Sequence, residues 1–247
     1  MGTVETLIKN KLRNGKLHFS LIDPDPSKLP LEEIKNRAKL LEEWGSDVIL
    51  VGGSTNFTKE TVDSTIKAIK SVCSVPIVIY PGNVSSISEH ADAILFMSLL
   101  NSRNPYWISQ AQAKAAPILR KIGLEPISLA YLVCEPGMTV GKVGEANLIK
   151  TPNEAVAYAA SAELTGFHFV YLEAGSGATT PVPVETVKAV RSSIKIPLIV
   201  GGGLRTVEAV KERLAAGADI IVTGTAIENE IEKLEPIIKA VKSFKIR

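Results

Sequence analysis

The sequence predicts an α/β protein, a single (β/α)8 TIM barrel. Three observations predict it. Eight short apolar runs alternate with amphipathic segments along all 247 residues, the pattern of a parallel sheet wrapped by helices. The runs are continuously apolar, as strands covered on both faces should be. Eight is also the number that closes such a sheet into a barrel, with a doubly wound open sheet as the alternative. At 45% hydrophobic and 22% charged residues the chain has ample core material, and no low-complexity linker divides it. Residues 1–247 are therefore read as one domain.

The elements follow in order. Residues 3–14 are amphipathic and read as an extra helix before the first strand. The strands are LHFSLI (17–22), DVILV (47–51), PIVIY (76–80), ADAILFM (91–97), EPISLAYLV (125–133), FHFVYLE (167–173), PLIVGG (197–202) and DIIVTG (219–224). Helical patterns lie between them at 31–44, 58–71, 105–122, 152–165, 183–192 and 205–216, and after the last strand at 228–243. Thr151-Pro152 reads as an N-cap with proline in the first turn. Gly45, Gly123, Gly166 and Gly217 sit where left-handed C-caps belong. One interval departs from the rule: PGNVSSISEH (81–90) offers only ten residues between the third and fourth strands. That is the lower limit for a crossover, so an irregular segment is expected to replace the third helix.

Composition excludes several functions. A formal net charge of +2 with no basic block argues against nucleic acid, and 5% aromatic residues against a base-stacking platform. Cys73 and Cys134 form no C-x-x-C pair and read as reduced thiols of a cytoplasmic protein. His18, His90 and His168 are scattered, which disfavours a histidine metal cluster. The N-terminus lacks the apolar core of a signal peptide, and no run is long enough to span a bilayer.

In such a barrel the residues just after each strand form the active-site rim. Gly201-Gly202-Gly203 after the seventh strand and Gly224-Thr225 after the eighth match the usual phosphate cradle, because glycine lets backbone N–H groups approach an anion closely. Glu173 ends the sixth strand beside a Gly-Ser-Gly loop. A carboxylate there can orient a hydroxyl or take its proton. Asp23 and Asp25 flank Pro24 at the first strand end. Asp23 is the better candidate for a hard cation such as Mg2+, and Asp25 could equally cap the next helix. The stretch FMSLLNSRNPYWI (96–108) reads, taken alone, as a buried helix start.

Together the strings LIDPD, VGGST, YPGN, FMSLLNSRNPYWI, EPGMTVG, YLEAGSGA, VGGGLRT and GTAIE resemble the geranylgeranylglyceryl phosphate synthase family almost end to end. The resemblance implies an Mg2+-dependent prenyltransferase. It would join geranylgeranyl diphosphate to the 3-hydroxyl of sn-glycerol 1-phosphate and release diphosphate, making an ether-linked membrane lipid precursor. It implies Asp23 and Ser54 as the Mg2+ positions. Tyr171, Leu172, Glu173, Ala174, Gly175, Ser176 and Gly177, with Gly202, Gly203, Gly224 and Thr225, would form the glycerol-phosphate site. Glu173 would be the base or hydroxyl-binding carboxylate, with Asp23 also in the catalytic set. Leu99, Tyr106 and Trp107 are candidate walls of a groove for the prenyl tail. A barrel without a regular third helix is also implied. Lys142 and Glu145 depart from the family's Trp and Asp. A homo-oligomer, dimer or hexamer, with peripheral contact to membrane lipid is expected from the same resemblance. The competing readings are a heptaprenyl donor, a sugar-phosphate isomerase or synthase barrel, and a non-catalytic phosphate-binding scaffold.

Overall fold

The computed structural model describes residues 2–53 and 58–245. It is a closed parallel barrel whose eight strands pair in sequence order. Around it the chain runs α1 (Thr3–Leu12), β1 (Leu17–Ile22), α2 (Leu31–Trp44), β2 (Val48–Val51), α3 (Lys59–Lys70), β3 (Ile77–Ile79), β4 (Ala93–Leu99), α4 (Ala111–Ile122) and β5 (Glu125–Val133). It continues through α5 (Met138–Val143), α6 (Pro152–Leu164), β6 (Phe169–Glu173), α7 (Val184–Ser193), β7 (Leu198–Gly201), α8 (Val207–Ala215), β8 (Ile220–Thr223), α9 (Ala226–Asn229) and α10 (Leu234–Lys242). The last strand pairs with the first, Leu17 opposite Ile220 and Phe19 opposite Val222.

Side chains alternate across each strand, so two cores form. Leu17, Phe19, Leu50, Leu129, Phe169, Ile199 and Val222 fill the barrel. Ile49, Ile77, Leu132, Val170, Val200 and Ile221 pack outward beneath the helices. On β1 the outward residues His18 and Ser20 are polar, while Ile22 joins the outer core. His18 meets Ser46 and Thr223 at 3.3 and 3.0 Å, and Ser20 meets Ser46 at 2.9 Å. Burial lowers the His18 pKa to about 3, so the ring is neutral. Helix α1 closes the floor of the barrel: its Val4 and Ile8 join the interior core. The Glu125 carboxylate accepts from the Val4 and Glu5 N–H groups at 2.9 and 2.8 Å, capping that helix from β5.

The expected caps are present. Thr151 and Glu154 form a capping box with Pro152 in the first turn. Gly45, Gly123, Gly166 and Gly217 all have positive φ. Between β3 and β4 the chain makes only one 3-10 turn, Val84–Ser86, so no crossover helix joins these strands. Three expectations change. Residues 228–243 are not one helix but α9, a 3-10 turn at Ile231–Lys233, and α10. Helix α5, on the long β5 connection, has no counterpart in the sequence reading; its MTVGKV segment carries three β-branched residues and a glycine, poor helix formers. Asp25 does not cap α2, which starts at Leu31 after Pro30. It accepts instead from the Ser27 N–H at 2.9 Å and the Ser27 hydroxyl at 2.7 Å.

Candidate active site

The strand pleat decides which rim residues face inward. Tyr171 and Glu173 share the inner face of β6, while Leu172 points out into the helix layer. Ala174 also belongs to that outer layer, and its N–H donates to the Gly201 carbonyl at 3.1 Å. Leu172 and Ala174 therefore do not line the site, contrary to expectation. Tyr171, Glu173, Ser176, Gly177, Gly202, Gly203, Gly224 and Thr225 do line one cavity of about 860 Å3, together with Asp23. Gly175 lies behind it and donates its N–H to Glu173 Oε1 at 2.6 Å.

Glu173 is buried, with 6% of its surface exposed. Burial raises its pKa, against the opposing pull of the Gly175 N–H and the Tyr171 and Tyr131 hydroxyls. Tyr80, Tyr131 and Tyr171 pack edge to face around it, with centroids 5.1 to 6.4 Å apart, and the Tyr80 and Tyr131 hydroxyls share a hydrogen bond. Burial, then the Glu173 charge, pushes all three phenols well above their usual pKa, so they stay protonated donors. The glycines of β7 make room for this group. A Cβ at Gly201 would stand 2.1 Å from the Tyr171 hydroxyl, and one at Gly202 2.4 Å from Glu173 Oε1. Gly202 thus serves the carboxylate as well as any anion.

Beside Glu173 the rim is rich in small donors. The Ser176 and Thr225 hydroxyls lie 3.2 Å apart, joining the loop after β6 to the end of β8. Arg205 donates to the Gly177 carbonyl at 3.0 Å from the loop after β7. Further round, Asp23 accepts from the Asp25 N–H at 3.1 Å and from Lys28 Nζ at 2.6 Å. A Cβ at Gly53 would fall 2.8 Å from both Asp23 oxygens, so that glycine keeps one side of the carboxylate clear. Among the described residues no group of three or more His, Cys, Asp or Glu is placed to hold a metal. A cation here would have one protein carboxylate and depend on substrate oxygens, a donor set that suits Mg2+. Ser54, the other expected metal position, lies outside the described residues.

The far end of the cavity is apolar. Phe96, Met97 and Leu99 of β4, Trp107, Ala111 and Ala115 of the following helix, and Val140 and Val143 of α5 line it. It runs along the flank of β3 and β4, where the crossover helix is absent. Leu99 and Trp107 are among its walls, as expected. Tyr106 is not: its ring stands on the edge of Trp107 at 4.9 Å and under Lys114 Nζ at 5.1 Å. The FMSLLNSRNPYWI stretch therefore serves as groove wall and starts a helix, but the start is a π turn at Tyr106–Gln110 with no buried residue, not the buried start expected. Lys142 and Glu145 do not line the cavity; Glu145 accepts from Asn104 at 2.6 Å. Sequence reasoning missed Tyr80 and Tyr131, whose inward direction depends on register, and the rim charges Lys28, Arg205, Glu228 and Lys233. For Lys28 a signal existed: it lies five residues from Asp23 in the same loop.

Fold and rim together define a (β/α)8 barrel with one elongated cavity, glycine-lined and polar at one end and apolar at the other. The chain belongs to the PcrB family, whose model matches residues 8–244. It is 50% identical to the geranylgeranylglyceryl phosphate synthase of Thermococcus sibiricus, over 98% of this chain and 97% of that protein. The crystal structure of (S)-3-O-geranylgeranylglyceryl phosphate synthase from Thermoplasma acidophilum in complex with substrate sn-glycerol-1-phosphate superposes with a TM-score of 0.94. It is 45% identical and covers 99% of this chain and 100% of that one. N-acetylmannosamine-6-phosphate 2-epimerase from Clostridium perfringens, at 17% identity and a TM-score of 0.57, shares the fold alone.

Proposed function

We propose that this protein is a prenyltransferase that forms the ether bond between geranylgeranyl diphosphate and the 3-hydroxyl of sn-glycerol 1-phosphate. The observation that carries the reading is the single cavity in which a glycine-rich rim and an apolar groove meet at Glu173. The relatives' names and the Thermoplasma complex support it. In this reading the acceptor phosphate rests at Gly177, Gly203, Gly224 and Thr225, where backbone and hydroxyl donors converge. Its 3-hydroxyl then reaches Glu173.

The allylic C1–O bond breaks with its electron pair leaving on the diphosphate. The glycerol oxygen forms the new bond to C1, and its proton passes to the Glu173 carboxylate, whose raised pKa makes it a better base than an exposed one. Protonated Tyr131 and Tyr171 fix that carboxylate, and Tyr80 bonds the Tyr131 hydroxyl. Asp23 would hold Mg2+, which would supply neutralisation of the departing diphosphate's charge. The apolar groove holds the tail and keeps water from the allylic cation.

A homo-oligomer, dimer or hexamer, belongs to the same proposal. No described helix is long and apolar enough to cross a membrane; we place the reaction in the cytoplasm, with lipid touched only peripherally. The test is incubation with sn-glycerol 1-phosphate, Mg2+ and prenyl diphosphates from farnesyl to heptaprenyl, with products identified by mass spectrometry. Geranylgeranylglyceryl phosphate is the expected main product. A preference for the heptaprenyl donor would reassign the groove, and binding without turnover would remove the enzymatic reading.

A further inference from the structure

Lys28 is held across the rim by two carboxylates from opposite ends of the sequence. Its ammonium lies 2.6 Å from Asp23 and 3.1 Å from Glu228. Burial works against the charge, but these two partners outweigh it and raise the Lys28 pKa. The other rim cations are committed elsewhere, Arg205 to the Gly177 carbonyl and Lys233 to Glu230. The three groups Asp23, Lys28 and Glu228 sum to a formal charge of −1. A diphosphate would meet that charge at the mouth of the cavity they line.

Strand order locates this trio. The loop carrying Asp23 and Lys28 follows β1, which pairs with β8 on one side and β2 on the other. It therefore stands between the Gly224–Thr225 end of the rim and the β3–β4 flank where the groove runs. That is where a diphosphate must sit if its tail fills the groove and its C1 faces Glu173.

We propose that Lys28 is a diphosphate-binding residue, parked on Asp23 and Glu228 until the prenyl donor arrives and then turned onto its diphosphate. The inference rests on the function proposed above. Lysine suits the part, being a compact charge with three donors on a flexible stem. A cation taking up Asp23 releases one of its two anchors, and Glu228 keeps it tethered at the rim. As the C1–O bond breaks and its electron pair passes to the leaving oxygen, the ammonium lies against the charge that grows there. No proton need move.

The experiment titrates inorganic diphosphate into the full chain by calorimetry, once with Mg2+ and once in EDTA, and sn-glycerol 1-phosphate separately. Lys28→Met is expected to weaken diphosphate about ten-fold or more in both conditions, the loss typical of one charge-assisted contact, and to leave the acceptor's affinity unchanged. Lys28→Arg should recover most of it. Glu228→Gln, which frees the lysine and removes a repelling carboxylate, should tighten diphosphate binding. Unchanged diphosphate affinity in folded Lys28→Met overturns the proposal, as does equal weakening of both ligands, which marks collapse of the rim. If Lys28→Met does not fold, weaker or unchanged binding by Glu228→Gln overturns it instead. Prenyl transfer by the wild-type chain reports on the function, and the diphosphate titration reports on Lys28, so the two fail separately.

Discussion

At the scale of single residues the site turns on Glu173, a carboxyl group in a buried place. Its raised pKa means that ionisation costs stability in the folded state. The stability it contributes is greatest below the unfolded value of 4.5 and is lost as pH rises through the folded value. Glu173→Gln should therefore raise Tm at neutral pH, with the gain shrinking as pH falls toward 4.5, while kcat drops about 10²-fold. Thermal melts across pH and single-turnover transfer at saturating acceptor check both halves. A normal rate with weaker acceptor binding would make Glu173 an anchor and not a base. Asp23→Asn leaves the core untouched and should abolish most turnover at limiting Mg2+, because it removes the one protein carboxylate offered to the cation. Normal turnover there, in a variant with unchanged Tm, would remove Asp23 from the metal. Both carboxylates were legible in the sequence because each lies at a strand end. The tyrosines around Glu173 were not. Tyr131 sits mid-strand in an apolar run, and nothing in the run says which face it takes.

At the scale of elements, two glycines with similar backbones separate the roles of the rim loops. Gly202 and Gly177 have φ near 80°, so alanine strains either backbone by roughly 1–2 kcal/mol. A Cβ at Gly177 meets open space, whereas one at Gly202 strikes Glu173 Oε1. Gly177→Ala should then raise the acceptor KM with kcat held, and Gly202→Ala should lower kcat as well; steady-state kinetics distinguishes them. The glycine clusters were readable as a cradle, but the packing of Gly201 and Gly202 against Tyr171 and Glu173 was not, because that contact spans two strands. The groove belongs to this scale too. Ala111 lines it from the first turn of α4 without being buried in the core. Ala111→Phe should fill part of it and raise KM for geranylgeranyl diphosphate about ten-fold or more, with less effect on farnesyl diphosphate. A uniform effect across donors would place the tail elsewhere. The short β3–β4 connection was visible as a missing crossover. The unpredicted helix α5 supplies the opposite wall.

For the whole molecule, the eight-strand count and the closure of the sheet followed from apolar runs and spacing, since parallel strands buried on both faces leave a strong pattern. What the pattern cannot carry is which end is sealed. Val4 and Ile8 seal the floor, with α1 capped by Glu125. Removing residues 1–14 strips two buried aliphatic side chains, each worth about 1.5–3 kcal/mol. At about 2–4 °C per kcal/mol for a chain of this size, Tm should fall on the order of 10 °C. The acceptor KM should not move, because the rim lies at the other end; calorimetry and kinetics on the truncated chain check this. The groove has a different standing. It leaves through the side of the barrel, where the crossover helix is absent, and Trp107 and Ala111 on its wall are only partly buried. These two wall residues are thus separate from those that hold the carboxylate and those that close the sheet. Mutations there can drift with little penalty in stability, so a lineage can change the lipid it makes, one wall residue at a time, without passing through an inactive ancestor.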